Sequence, residues 1–205
     1  MVGKFITIEG CDGSGKTTQS QLLEKYLRVK QVPCLFTREP GGTEISEQIR
    51  KIILNKENEN MNWRTEALLY AASRAQLVGE KIVPALHKGL HVVCDRYIDS
   101  TLAYQGYGRG LSLEELKRIN YFAAGGLKPD VTFLLDIDPE ETFQRKARQE
   151  KDRLEKEKIE FHQKVRNGYL ELARLEPERF KIIKATQSIE EIHREIVAFL
   201  EEVLF

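Results

Sequence analysis

The sequence has few cysteines and no arrangement of them that would serve as a scaffold. Cys11, Cys34 and Cys94 are the three cysteines in 205 residues, and none of them belongs to a C-x-x-C pair. An odd, widely spaced set does not predict a disulfide framework. No apolar secretory segment opens the sequence either. We therefore expect a reduced, cytoplasmic protein.

Long apolar runs and a charge surplus are also lacking. No run approaches the roughly 18 apolar residues that a membrane-spanning helix needs. Lys plus Arg and Asp plus Glu both number 32, so the formal net charge is zero. Proteins that bind nucleic acid through its phosphates usually carry a basic surplus. The composition thus favours neither nucleic acid nor a membrane as a partner, and any bound anion must be held by a local group of residues.

The chain shows no linker, internal repeat or low-complexity segment. A chain of 205 residues is long enough to bury a core without disulfides or metals. The expectation is one domain over residues 1–205.

The strongest positive signal is a glycine-rich segment at residues 10–17, which we call the P-loop. It fits the pattern G-x-x-x-x-G-K-[ST]. Residues 4–9 before it are β-branched and aromatic, which predicts a buried strand, and residues 18–27 after it carry apolar side chains at helical spacing. This strand–turn–helix context is what a phosphate-binding loop requires. The predicted nucleotide-binding residues are Gly10, Cys11, Asp12, Gly13, Ser14, Gly15, Lys16, Thr17 and Thr18.

The residue types in this loop suit a polyphosphate. Glycines at 10, 13 and 15 let the backbone turn several N–H groups inward, and the following helix adds the positive end of its dipole. Lys16 would reach the terminal phosphates, while the hydroxyl of Thr17 would bind Mg²⁺, which prefers oxygen ligands.

Helical and strand patterns alternate along the rest of the chain. Further strands are predicted at 33–37, 91–94, 131–136 and 180–184, and helices at 45–54, 63–87, 161–175 and from Ser188 onward. This alternation predicts an α/β fold with a parallel sheet. Pro84 should kink or shorten the long helix. The glycine-rich residues 100–110 are expected to form a loop, and Ser112 with Glu115 predicts a capping box at the next helix.

Charged residues lie where such a sheet places ligands. Arg38, Asp95 and Arg96 follow predicted strands, and Arg74 lies on the long helix. Ligands of open parallel sheets sit at the carboxyl ends of the strands, and guanidinium groups bind phosphate through two parallel hydrogen bonds. These arginines predict a second anionic substrate. The almost wholly charged residues 145–158 predict a solvated helix end or a mobile flap over the site.

Together these motifs resemble the bacterial thymidylate kinases along nearly the full chain. The matching segments are GCDGSGKTT at 10–18, REPGGT at 38–43, LLYAASRAQ at 68–76, DRY at 95–97, STLAYQG at 100–106 and DR at 152–153. The resemblance implies a five-stranded parallel sheet flanked by helices, the P-loop nucleoside-monophosphate-kinase fold, with a short lid at about 145–158. It also implies transfer of the γ-phosphoryl group of Mg·ATP to dTMP, giving dTDP and ADP for dTTP synthesis, by a homodimer whose other partners are small molecules.

The resemblance assigns the acceptor contacts. Asp12 is similar to the acidic residue that contacts the sugar 3′-hydroxyl, and Arg38 and Arg96 are similar to arginines that hold the acceptor phosphate. Tyr70 resembles the aromatic residue that stacks on thymine, and Arg74 the arginine that bonds thymine O4. The remaining implied substrate contacts are Thr101 and Gln105 in the segment bordering the base, Ser100 and Tyr104, and Tyr169, which crowds the ribose 2′ position.

The resemblance also implies which residues catalyse transfer. Gly13 replaces the P-loop arginine of one family subtype, and in that case arginines of the lid supply the cation. The implied catalytic set is Lys16, Asp95, Arg96, Arg148 and Arg153, with Arg145 a further lid arginine and with Thr17 and Asp95 beside Mg²⁺. A cis Glu39–Pro40 bond is a further expectation. Because the acceptor phosphate is already a nucleophile, positioning and charge neutralisation should supply the rate.

Two alternatives remain open on the sequence. One is a kinase for a different nucleoside monophosphate. The other is a GTP-binding switch, which also begins with a P-loop but would be expected to carry a late N-K-x-D segment. The nearest match, NKEN at 55–58, lacks the aspartate and lies early in the chain.

Overall fold

The fold is built on a five-stranded sheet. The structure, a computed structural model, describes residues 3–145 and 152–204. The strands are β1 (Phe5–Glu9), β2 (Cys34–Arg38), β3 (His91–Asp95), β4 (Val131–Asp136) and β5 (Phe180–Lys184). Their order is β2-β3-β1-β4-β5, and every neighbouring pair is parallel. The predicted five-stranded parallel sheet is confirmed.

The strand register gathers polar residues at one edge of the sheet. Ile8 of the central strand β1 lies opposite Asp95 of β3, and Arg38 of β2 lies opposite Asp95 from the other side. Strand order reverses at β1, since the next strand along the chain, β2, lies beyond β3 while β4 lies on the other flank. Such a switch point opens a crevice at the carboxyl ends of the strands. Glu9, the last residue of β1, and the P-loop that follows it lie at that crevice.

Helices cover both faces of the sheet. They are α1 (Lys16–Val29), α2 (Glu44–Leu54), α3 (Trp63–Leu77), α4 (Val83–His87), α5 (Ile98–Thr101), α6 (Leu113–Ala123), α7 (Pro139–Arg145), α8 (Ile159–Leu175) and α9 (Ile189–Leu204). Helices α1 and α9 pack on the face that carries Ile6 and Ile8. Because side chains alternate along a strand, Phe5 and Glu9 point to the opposite face, toward α3 and α8.

The long helix predicted over 63–87 is divided by a π-helical segment. Helix α3 ends at Leu77. The π-helical segment is Val78–Ile82, and α4 follows it and ends at His87. Pro84 lies at the start of α4 and has no N–H to donate to the carbonyl four residues before it. The wider turn directly before Pro84 accommodates this break in the hydrogen-bond ladder.

The prediction of a loop over 100–110 is wrong. Helix α5 runs directly into a second π-helical segment, Leu102–Gly108, and its side chains are mostly buried. Gly106 and Gly108 of this segment serve packing rather than turning, since neither has a positive φ and a Cβ at either would overlap a neighbouring side chain. A Cβ at Gly108 would lie 2.6 Å from Phe161 of α8, and one at Gly168 of α8 would lie 2.7 Å from Tyr107. Polar residues are buried here because they face the site.

Two smaller predictions are confirmed, the N-terminal cap of α6 and the cis Glu39–Pro40 bond. Ser112 precedes α6, and its Oγ accepts a hydrogen bond from the N–H of Glu115 at 3.3 Å, which is one half of the predicted capping box. The Glu39–Pro40 peptide bond is cis. The three cysteines are free. Within residues 3–145 and 152–204, no helix is both long and apolar enough to cross a membrane.

Candidate active site

The P-loop adopts a conformation that only glycine tolerates at several positions. Gly10, Gly13 and Gly15 have φ angles of 140°, 85° and 98°, values that favour residues without a Cβ. At Gly10 a Cβ would also lie 2.5 Å from the carbonyl oxygen of Leu135 in β4. Gly15 directly precedes α1, so the free N–H groups of the first helical turn face the cleft.

Lys16 curls back over the loop. Its Nζ donates to the carbonyl oxygens of Gly10 at 3.0 Å and Cys11 at 2.9 Å. The side chain is buried, and that burial lowers the pKa of Lys16, although the nearby Asp12 and Asp95 act in the opposite direction. The ammonium group lies at the P-loop, where its charge is available to an anion.

Thr17 and Asp95 are brought together beside the P-loop. The Thr17 Oγ1 lies 3.4 Å from Asp95 Oδ2. A hydroxyl and one carboxylate fit Mg²⁺, which keeps several waters and completes its octahedral shell with substrate phosphates. No cluster of three or more His, Cys, Asp or Glu side chains suited to a metal occurs in the part of the chain that the structure describes. A metal here would therefore depend on the nucleotide for further ligands.

Two neighbouring cavities open at the carboxyl edge of the sheet. The first, the phosphate cleft, contains the P-loop residues Gly13, Gly15, Lys16 and Thr17 together with Thr18, Arg38 and Asp95. The second, the acceptor cavity, is lined by Pro40, Leu54, Tyr70, Ser100, Thr101, Tyr104, Gln105 and Leu154. Both cavities share the wall residues Asp12, Glu39, Arg50, Arg96 and Asp152. A group bound in one cavity would therefore meet a group bound in the other.

Arg96 is the centre of this shared wall. Its Nη2 donates to Asp12 Oδ1 at 2.6 Å and to the Tyr104 hydroxyl at 3.1 Å, and its Nη1 donates to the Ser100 and Tyr169 hydroxyls, each at 3.1 Å. Burial opposes the charge, but Asp12 and its other neighbours raise the pKa of Arg96, which keeps it a cation. Four predicted substrate contacts thus surround one guanidinium group.

Glu9 lies beneath Arg96 and was not predicted as a site residue. Its Oε1 accepts from the Tyr97 N–H at 2.7 Å, and its Oε2 accepts from the hydroxyls of Ser100 at 2.7 Å and Tyr169 at 2.9 Å. Burial raises the pKa of Glu9 to about 7, and the charge of Asp99 adds to the rise. The signal in the sequence that could have identified Glu9 is a carboxylate at the end of an otherwise apolar strand.

Comparison with known proteins agrees with this geometry. A family model described as thymidylate kinase matches residues 8–196. The chain belongs to the thymidylate kinase family. It is 54% identical over 202 residues to the thymidylate kinase of Carboxydothermus hydrogenoformans, with 98% of each chain covered. It is 51% identical over 200 residues to that of Symbiobacterium thermophilum, covering 98% of this chain and 94% of the relative.

A solved structure gives the same family. The crystal structure of thymidylate kinase from Ehrlichia chaffeensis superposes with a TM-score of 0.80 at 34% identity, covering 98% of this chain and 99% of that one. The predicted family and fold are therefore confirmed, and the chain is a phosphotransferase of the thymidylate kinase family.

Arg74 does not line the acceptor cavity, although the family resemblance implies a base contact. Its side chain is 1% exposed. Nε and Nη2 bind the carboxylate of Glu39, Nη2 also donates to the Tyr97 carbonyl, and Nη1 donates to Thr101 Oγ1 at 3.1 Å and Asn120 Oδ1 at 2.7 Å. All five N–H donors of the guanidinium are therefore engaged. A contact with the base would require one of these bonds to open.

Arg38 and Arg50 complete the phosphate side of the site. Arg38 lines the phosphate cleft and pairs with Glu47 at 2.8 Å. Arg50, which sequence reasoning missed, lines both cavities and donates from Nη1 to the Pro40 carbonyl at 2.8 Å. It lies on α2 among residues that the sequence pattern marks only as an amphipathic helix. Its position at the site depends on how α2 packs.

The lid prediction falls partly outside the described residues. Arg148 belongs to residues 146–151, and the side chain of Arg145 is likewise not described. The structure does not bring Arg153 to the P-loop. Its side chain is buried, its Nε donates to the Ile53 carbonyl at 2.9 Å, and its Nη2 pairs with Glu66 at 2.6 Å. Reaching a phosphate would require Arg153 to leave the buried carboxylate of Glu66.

Proposed function

We propose that this protein transfers the γ-phosphoryl group of Mg·ATP to dTMP, giving dTDP and ADP, in the cytoplasmic synthesis of dTTP. The observation that carries the proposal is the wall of Asp12 and Arg96 shared by a phosphate cleft and an acceptor cavity. Membership of the thymidylate kinase family names the acceptor as dTMP. The two substrates would meet across that wall.

The donor would be bound by the P-loop. Its inward N–H groups, the N-terminus of α1 and the Lys16 ammonium suit a triphosphate. Thr17 and Asp95 would hold Mg²⁺, which when bound supplies charge neutralisation at the phosphate oxygens. The protein's own contribution is to align the phosphoryl group with the acceptor and to surround it with cations.

The acceptor would lie with its phosphate toward Arg96 and Arg38 and its base beside Tyr70. A phosphate monoester is a nucleophile without help from a base, so the site needs no proton acceptor for transfer. Asp12 would accept from the sugar 3′-hydroxyl. Tyr169, whose hydroxyl accepts from Arg96 and donates to Glu9, would crowd a 2′-hydroxyl and favour deoxyribose.

The deciding experiment is an ADP-release assay with Mg·ATP and dTMP, dUMP, dCMP, AMP and GMP in turn. We expect dTMP to give the highest kcat/KM. Preference for another monophosphate would keep the fold and phosphate cleft but overturn the base contacts. Transfer to none of these monophosphates would overturn the proposed kinase function and favour the alternative of a nucleotide-binding switch.

A lid arginine completes the proposed mechanism. Arg148 would place its guanidinium on the phosphoryl group in flight, so Arg148→Ala should lower kcat by about 100-fold or more while KM changes little. Steady-state kinetics with Mg·ATP and dTMP measures this. The matched variant Lys158→Ala removes a lid cation outside that role and should retain kcat. An unchanged kcat in Arg148→Ala would contradict the lid assignment.

We also propose a homodimer formed through helices. Helices α3 and α6 carry large apolar side chains that are well exposed, namely Trp63, Leu68, Tyr121 and Phe122. Exposed apolar side chains on adjoining helices are typical of an interface. Packing against a second copy would cover this surface, in agreement with the dimer that the family resemblance implies.

A further inference from the structure

The side-chain amide of Gln105 is held in one orientation. Gln105 is 1% exposed and lines the acceptor cavity. Its Nε2 donates to Oε1 of Glu66 at 2.9 Å. Because an ionised carboxylate only accepts hydrogen bonds, the amide group that faces it must be the NH₂ and not the oxygen. The Oε1 of Gln105 accepts nothing from the described residues and is left for the cavity.

Glu66 is fixed by two arginines. It lies on α3 with a fully buried side chain, and its Oε2 pairs with Nη2 of Arg153 at 2.6 Å and Nη2 of Arg109 at 3.3 Å. Nε of Arg109 lies 3.3 Å from the other carboxylate oxygen. A buried carboxylate is tolerated when it is paired and hydrogen-bonded in this way. The two guanidinium groups therefore hold a charged acceptor beside Gln105.

The arginines are themselves held. Arg109 stacks over the ring of Phe161 at 4.7 Å, and its Nη1 pairs with Glu157 at 2.6 Å. Arg153 donates from Nε to the carbonyl of Ile53 at 2.9 Å. Glu66 has little freedom to move, so a flip of the Gln105 amide would set its oxygen against a carboxylate.

A carbonyl oxygen in the cavity discriminates between pyrimidines. Thymine and uracil carry an N–H at N3 and would donate to it, whereas N3 of cytosine is an acceptor and would be repelled. The Thr101 hydroxyl, which accepts from Arg74, can donate either to a thymine carbonyl or to cytosine N3. Thr101 therefore does not set this distinction.

We propose that Glu66 is a positioning residue for acceptor specificity, which fixes Gln105 so that the cavity presents a hydrogen-bond acceptor to N3 of the nucleobase. The proposal rests on the dTMP kinase activity proposed above. It assigns to Glu66 the preference for bases that donate at N3, although Glu66 itself is not among the residues that line either cavity.

The test compares dTMP with dCMP in a Glu66→Gln variant. Glutamine keeps the shape but can donate as well as accept, so the Gln105 amide is free to turn. We expect the ratio of kcat/KM for dTMP to that for dCMP to fall about tenfold. The change should appear mainly in the KM for dTMP with kcat largely kept. An unchanged ratio in a folded variant overturns the proposal.

Glu157→Gln is the matched control. It removes the other carboxylate on Arg109 by the same chemical change but does not touch Gln105, so the ratio should stay at the wild-type value. An equal fall in both variants overturns the proposal, because it would show a general loosening around Arg109. If thermal melting shows that Glu66→Gln does not fold, Glu66→Asp keeps the charge for both arginines and shortens the reach to Gln105. A lowered ratio is again expected, and an unchanged one again overturns the role of Glu66.

The wild-type protein separates this proposal from the activity on which it rests. Absence of transfer to dTMP by the wild type overturns the kinase function itself. Transfer to dTMP with an unchanged ratio in the Glu66 variant overturns only the positioning role.

Discussion

Glu9 shows how a single residue links the sheet to the site. It closes β1, and the alternation of the strand points it toward α8, where its oxygens accept from Tyr97, Ser100 and Tyr169. Burial is the main cause of its raised pKa, and the charge of Asp99 adds to the rise. The Glu9 carboxyl group fixes the hydroxyls of Ser100 and Tyr169, and these hydroxyls in turn accept hydrogen bonds from Arg96.

Replacing Glu9 by Gln should change how stability depends on pH. The pKa of Glu9 rises from 4.5 to about 7 on folding, so the folded state binds the proton more tightly than the unfolded state. The stabilisation that comes from this tighter proton binding is complete below about pH 4.5 and is lost as the pH rises through about 7. Relative to Glu9→Gln, the wild type should therefore lose up to about 3 kcal/mol of unfolding free energy between pH 4.5 and 8.

Urea unfolding at a series of pH values measures this difference. Glutamine also alters the local hydrogen bonds, but that effect does not vary with pH and shifts the whole curve. Parallel pH profiles for the two proteins would contradict the raised pKa of Glu9.

The hydroxyl of Tyr169 is a second residue with a separable role. Tyr169→Phe keeps the ring but removes the group that contacts Arg96, Ser100 and Glu9. If this hydroxyl crowds the ribose 2′ position, the preference for dTMP over the corresponding ribonucleotide should fall about tenfold. The loss of a donor to buried Glu9 should also cost about 1–3 kcal/mol of stability. Kinetics with both acceptors and a thermal melt check the two effects, and an unchanged preference would contradict the role in sugar selection.

Contact between α8 and the π-helical segment Leu102–Gly108 governs the site at the level of elements. Tyr104 and Gln105 lie on the π segment, and Tyr169 lies on α8. Gly108 and Gly168 let the two elements approach, because a side chain at either glycine would overlap the facing element. The close approach places Tyr169 and Tyr104 on the same guanidinium of Arg96.

An added methyl group at Gly168 should push these elements apart. The Cβ of Gly168→Ala would lie 2.7 Å from Cβ and ring atoms of Tyr107, and overlap next to the backbone is not relieved by turning a side chain. We expect a loss of about 1–3 kcal/mol in unfolding free energy and a raised KM for the acceptor. Gly79→Ala is the control, since its Cβ would meet nothing within 4 Å, and it should stabilise the protein by about 0.5–1 kcal/mol. Urea midpoints compare the two, and equal effects would contradict the packing argument.

At the scale of the whole molecule, the notable feature is the exposed apolar surface of α3 and α6. Phe122 is 87% exposed and Tyr121 is 72% exposed. Both residues lie on α6. Tyr70 of α3 lines the acceptor cavity, so the proposed dimer interface and the site share one helix.

A charge placed on this surface should prevent assembly. Leu68 of α3 is 56% exposed, and Leu68→Arg would bury an unpaired cation in the proposed interface, which should raise the dimer dissociation constant about 100-fold or more. Sedimentation equilibrium measures the oligomeric state. Ile189→Arg is the control, because Ile189 is similarly exposed at 50% but begins α9, on the far side of the sheet. A dimer that survives Leu68→Arg, or one lost equally in both variants, would contradict this interface.

Local patterns predicted most of the elements. The apolar runs of β4 and β5 are the strands observed, and the capping pair Ser112 and Glu115 begins α6 where expected. These features depend on neighbours in the sequence. The π-helical segment Leu102–Gly108 was missed for the opposite reason, since glycine predicts a turn unless a distant helix uses the space that it leaves.

The sequence by itself determined the class of fold and the P-loop, because a phosphate-binding turn and alternating hydrophobic periods depend on consecutive residues. Only the tertiary structure decided the partners of the buried charges. Glu9, Glu66 and Arg74 lie in ordinary strand and helix patterns, and their roles follow from groups dozens of residues away. A charge leaves water only beside its partner, and that partner is brought near by packing.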